Sequence, residues 1–201
     1  MKIGLPEKIT KVHKAAQEGH ASTVQWLLRQ GVDADARNEY GWTPLLVAAE
    51  YGRLDIVAVL LANEANTEAR DDSGNTALMI AVRRHDANMV RALLDHGAEI
   101  HACGQQGNTA LHLAAIWIGP PETLHLLLER GADVNIQQAS GNTALMSAVW
   151  RGHSGKIKAL LAAGADVNLK DDKSRTALTF SRQRLDVEGI TEILVAAGAL
   201  E

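Results

Sequence analysis

Aromatic residues are scarce: Trp, Tyr and Phe together make up 3% of 201 residues. A core packed around rings is therefore excluded, and whatever core exists must be aliphatic. Cysteine is nearly absent. Cys103 stands alone, so neither an intramolecular disulfide nor a cysteine-based zinc site is open to the chain. Charge of one sign is missing too, since 20 basic residues face 24 acidic ones and leave a net −4. With a sequence pI near 6.1, this balance gives no basic footprint for a nucleic-acid backbone. No apolar run approaches the length of a membrane span. The opening MKIGLPEKITK lacks the apolar stretch of a signal peptide, so a reduced, cytoplasmic setting is expected.

What the chain has instead is internal repetition. A Thr-led motif recurs at Thr10 (TKVHKAA), Thr43 (TPLLVAA), Thr76 (TALMIAV), Thr109 (TALHLAA), Thr143 (TALMSAV) and Thr176 (TALTFSR). The spacing is 33 residues, with 34 once. Each unit closes on an apolar run and a turn, as in LLLERGADVN. Thr ahead of an apolar stretch is an N-cap signal. Leu111, Ala114 and Ala115 then share one helical face, and Leu124, Leu127 and Leu128 mark a second helix. Gly131 is the stop, where a left-handed residue carries no Cβ penalty. One such helix pair cannot bury its own apolar face, but stacked neighbours can.

With these motifs over about 190 of 201 residues, the chain resembles the ankyrin-repeat family. The resemblance implies an all-α solenoid of stacked helix-turn-helix pairs with β-turn, hairpin-like fingers. Residues 1–9 read as a lead-in and cap, with Leu5 and Ile9 over the first pair, and 10–201 as a single domain. Repeats start near 10, 43, 76, 109, 143 and 176, the last being a polar C-terminal cap. Trp26, aligned with Val59, Ala92, Leu126 and Ala159, is expected to be buried between second helices.

Three departures stand out. Glu64 occupies the turn-Gly position of the second repeat, where either it or Asn63 must turn left-handed. Ser174 replaces another turn Gly. In the fourth repeat, Ile116-Trp117-Ile118-Gly119-Pro120-Pro121 carries one extra residue and two prolines, which lengthens the bend between helices and pushes Ile-Trp-Ile outward.

The resemblance further implies that partners are met on a concave face by three sets of positions: the finger tips, the residue before each Thr, and the pair after Ala-Ala. Five of the seven aromatics fall there: Tyr40, Trp42, Tyr51, Trp117 and Trp150. Core demand does not account for this, because core positions are Ala and Leu, whereas Trp, Tyr and Arg are typical interface hot spots. The expected partner-binding residues are Tyr40, Trp42, Tyr51, Arg70, Arg83, Arg84, Ile116, Trp117, Trp150 and Arg151. Tyr40, Trp42 and Tyr51 should cluster, and Trp117 with Trp150. The pair Gln183-Arg184 holds the equivalent place in the last repeat.

Catalytic readings find little support. His13 and His112 share the TxxH slot, and His20 with His153 the Gly-His slot, so their placement follows the repeat. Gly155-Lys156 lacks the glycine spacing and the Ser or Thr of a phosphate loop. The expectation is a non-enzymatic module that is monomeric alone, uses no cofactor or metal, and binds another protein bearing acidic and apolar features. Nucleic acid and membrane are not expected partners. An adaptor or regulator is the first role. The alternative is an inhibitor or immunity-type protein that neutralises an enzyme or toxin by occluding its active site.

Overall fold

The structure is a computed structural model that describes residues 5–183 and 189–200. Arg184 lies outside the described residues, as does the side chain of Leu5. Twelve α-helices and no strands occur among the described residues. The chain divides into two compact units, Met1–Gly104 and Gln105–Glu201, within the span read from sequence as one domain.

The first unit holds α1 (Leu5–Glu18), α2 (Ala21–Arg29), α3 (Pro44–Glu50), α4 (Leu54–Leu61), α5 (Ala77–Arg83) and α6 (Ala87–Asp95). Consecutive helices pair, α1, α3 and α5 stack as one layer, and α2, α4 and α6 as a second. The second unit holds α7 (Ala110–Ile116), α8 (Glu122–Glu129), α9 (Ala144–Arg151), α10 (Ser154–Ala162), α11 (Ala177–Gln183) and α12 (Ile190–Ala196). Its pairs stack mainly through α7, α9 and α11.

The sequence explains each pair. Thr43, Thr76 and Thr143 are extended N-caps whose hydroxyls accept the amides of Leu46, Met79 and Met146 at 3.2–3.5 Å. The Ala residues that follow are fully buried, so first helices approach closely. Second helices bury Ile56, Val57 and Leu60, then Met89, Val90 and Leu93, and in the second unit Ile157 and Leu160. Each such side chain contributes about 1.5–3 kcal/mol by leaving water. Fingers are chained repeat to repeat: the Asp35, Glu68, Asn135 and Asn168 side chains accept the amides of Asn66, Glu99, Asp166 and Leu200 at 2.8–2.9 Å.

Two expectations need correction. α1 begins at Leu5, so much of the 1–9 lead-in is helix, and Thr10 is an exposed residue inside α1 rather than its cap. Trp26 is 49% exposed. Val24 and Leu27 turn inward, and Trp26 between them lies off that stripe, so the ring faces solvent. The turn residue of the second repeat is Glu64 itself, at φ 58°, not Asn63. His85 and Ser174 take the same left-handed form at φ 58° and 59°, each where sister repeats have Gly.

Candidate functional site

In the first unit, the finger Arg37–Trp42 is shaped by its own polar atoms. Asn38 Oδ1 accepts the amides of Tyr40 and Trp42, both at 3.0 Å, and the Asn38 amide donates to Trp42 O at 3.0 Å. That closure leaves Tyr40 at the tip, 67% exposed, and Trp42 half-buried at the base. The His13 ring lies between Trp42 O (2.8 Å) and Ile9 O (2.7 Å) and ties the finger to α1. Tyr51 caps the C-terminus of α3 and is exposed. The three rings line one open pocket of about 1140 Å³ with Ile9 and Val47. Its ionic lining is Glu18, Glu39, Glu50 and Asp72 against Lys14 and Arg37. The clustering expected of Tyr40, Trp42 and Tyr51 is present.

Arg37, Arg70, Arg83 and Arg84 of this unit are engaged within the fold. Arg70 donates to Gly74 O at 2.9 Å and to Cys103 O, holding one finger to the next. Arg37 spans Gly41 O and Arg70 O in the same way. Arg83 pairs with the Glu50 carboxylate at 2.6 Å, and Arg84 donates to Glu50 O at 2.6 Å. In the second unit Gln137 takes the Arg37 and Arg70 slot and bridges Gly141 O (2.6 Å) and Lys170 O (2.8 Å). The signal for this bracing role was a long side-chain donor at one register in three repeats.

The second unit has a smaller pocket, about 290 Å³, lined by Ile116, Met146, Trp150, Arg175 and Phe180 among others. Trp150 meets Phe180 edge to face, centroids 6.1 Å apart at 76°. The Arg175 guanidinium sits 4.5 Å above the Phe180 centroid and bonds the buried Asp171 carboxylate at 2.7–2.8 Å. Burial alone would raise the Asp171 carboxyl. The Arg175 side chain and the amides of Arg175 and Lys173 outweigh that and hold it below the usual range. Asn142 also lines the pocket, and its Oδ1 is a buried acceptor with no partner among the described residues. Trp150 is 48% exposed. Arg151 is exposed on the last turn of α9. Trp117, 46% exposed, stands in the insertion after α7 and does not line this pocket.

No group of three or more His, Cys, Asp or Glu among the described residues is placed to hold a metal ion. His112 lies beneath its finger, ring atoms at 2.9 Å from Thr109 Oγ1 and 3.1 Å from Asn142 O. Burial lowers its pKa, against the opposing pull of the Asn142 and Ile136 backbone. No described helix is long and apolar enough to cross a membrane. The sequence profile of the family described as "Ankyrin repeats (3 copies)" matches residues 3–71, 63–138, 105–171 and 122–198. No curated protein matches the chain.

Proposed function

The chain belongs to the ankyrin-repeat family, whose repeats generally mediate protein–protein interactions, and from that premise we propose that it binds a partner protein through an aromatic patch in each of its two units. Tyr40, Trp42 and Tyr51 form the first patch; Ile116 and Trp150, with Arg151 and Trp117 at the same bends, form the second. The observation that carries this reading is the convergence of three rings, from a finger and a helix end, on one open pocket in a chain with so few rings. Aromatic anchors in such settings dominate interface energetics.

The partner supplies apolar side chains to both patches. Toward the first unit it supplies basic groups, because Glu18, Glu39 and Asp72 line that pocket with Lys14 and Arg37, the Glu50 carboxylate being paired with Arg83. Acidic groups on the partner are matched instead to Arg151, since Arg83 and Arg175 already have carboxylates of their own. Arg83 and Arg84 shape the first patch through Glu50, Arg70 braces the fingers that follow it, and all three make smaller direct contributions. Titration of the purified partner into a Tyr40→Ala, Trp42→Ala, Tyr51→Ala chain should show binding weakened by more than about 1 kcal/mol per ring, with circular dichroism unchanged. Unaltered affinity would move the site off this pocket.

A further inference from the structure

The first helix of a repeat normally ends on its own backbone. Ala15 O, Ala48 O, Ala81 O and Ala148 O each accept the amide five residues on, from His20, Arg53, Asp86 and His153, at 2.9–3.1 Å. The fourth repeat ends differently. The residue aligned with Arg53 and His153 is Pro120, which has no N–H. Ala114 O, the aligned acceptor, receives Lys156 Nζ at 2.7 Å, and the same ammonium donates to Trp117 O at 2.6 Å. The His153 ring meets Ala115 O at 3.0 Å. Both donors come from the following repeat.

Lys156 is itself out of pattern. Its slot holds Ile56 and Met89 in the second and third repeats, both fully buried. Lys156 is buried as well, 5% exposed, on the apolar side of α10. A buried ammonium is costly unless its donors are met. Here they meet carbonyls at a helix C-terminus, where a cation is favoured. The proline-bearing bend and the buried Lys156 therefore occur together and touch. What they hold in place is Trp117 and Ile118, the latter 80% exposed.

We infer that Lys156, assisted by His153, is the positioning residue that fixes the Trp117–Pro121 insertion as a recognition knob. Only the role of Trp117 as a contact rests on the proposed function; the pinning does not.

A chain with Trp117 as its sole tryptophan (Trp26→Phe, Trp42→Phe, Trp150→Phe) reports the loop directly. Lys156→Met in that chain should shift Trp117 emission and raise its quenching by iodide, and Lys156→Arg should restore part of both. A second arm regularises the bend by deleting Ile118 with Pro120→His and Pro121→Ser, as in the fifth repeat. Lys156→Ile should lower Tm with the native loop and leave it level or raised with the regular one. Unchanged Trp117 emission and quenching, or the same Tm change in both backgrounds, overturns the assignment. If Lys156→Met does not fold, the regular-loop background decides: a folded Lys156→Ile chain there supports the pinning, an unfolded one overturns it. Neither readout uses a partner, so failure here is distinct from failure of the binding proposal.

Discussion

The first unit and the α7 bend of the second meet one demand, ending a helix and exposing rings beside it, in opposite ways. The first unit closes its helices with backbone amides and keeps an apolar residue, Ile56 or Met89, beneath the bend. Its arginines brace from the surface, where water shares the cost of their charge. The second unit has an inserted, proline-bearing bend, and it brings a charged side chain into the core to close it. The first yields a wide pocket lined by three rings, the second a small one beside the edge-to-face Trp150 and Phe180, with Arg175 over the Phe180 ring. The buried Lys156 ammonium thus lies where an acceptor, Ala114 O, has lost its usual backbone donor.

The largest test of that contrast is Ile56→Lys. The slot is the one Lys156 fills, but Ala15 O already accepts the Gly19 and His20 amides. An uncompensated buried charge should cost about 3–5 kcal/mol and melt the first unit in urea titration; a stable variant would remove the distinction. Next come the rings. Tyr51→Ala and Trp150→Ala should each weaken partner binding by more than about 1 kcal/mol. They differ in stability: Trp150→Ala loses its edge-to-face pair, worth about 0.5–1.5 kcal/mol, whereas Tyr51→Ala should leave Tm nearly level in calorimetry. Trp117→Ala should behave like Tyr51→Ala. A collapse in Tm would place that ring in the core.

Relief of backbone strain is a smaller effect. Glu64→Gly at φ 58° should gain roughly 1 kcal/mol, seen as a raised Tm, and Ser174→Gly should do the same in the second unit. A fall at either site would mean the side chain repays its own strain. The smallest effect is on pH. The lowered pKa of His112 favours the neutral ring in the folded state. Its stability contribution is full above the ordinary His value near 6.5 and is lost as pH falls from there toward the lower folded value. Urea midpoints should drop across that window, and His112→Gln should flatten the slope.

The helix pairs were legible because period, caps and Ala placement state local physics repeatedly. Trp26 was misread because its aligned residues are small or aliphatic, and a small residue half-buried in one repeat does not tell where a ring goes in another. Of the candidate site, the Tyr40, Trp42 and Tyr51 cluster could be read from register together with the family resemblance. The bracing by Arg83 and Arg84 could not, since a long cation at an exposed position looks the same in sequence whether it reaches solvent or a neighbouring group, and that by Arg70 left only the recurrence of a long donor at its register. Lys156 was passed over for a similar reason. It sits on the second helix, while the Pro120 gap it answers lies in the preceding repeat.

The central claim is that the rings, not the rest of the surface, carry partner binding. Its most direct test is affinity capture from source-cell lysate with three proteins side by side: wild type, the Tyr40→Ala/Trp42→Ala/Tyr51→Ala chain and a Trp117→Ala/Trp150→Ala chain, read by mass spectrometry. A protein held by wild type and lost by either variant, with both variants folded, is the predicted result. The same protein retained at wild-type level by both variants would contradict the claim and put the site elsewhere on the molecule.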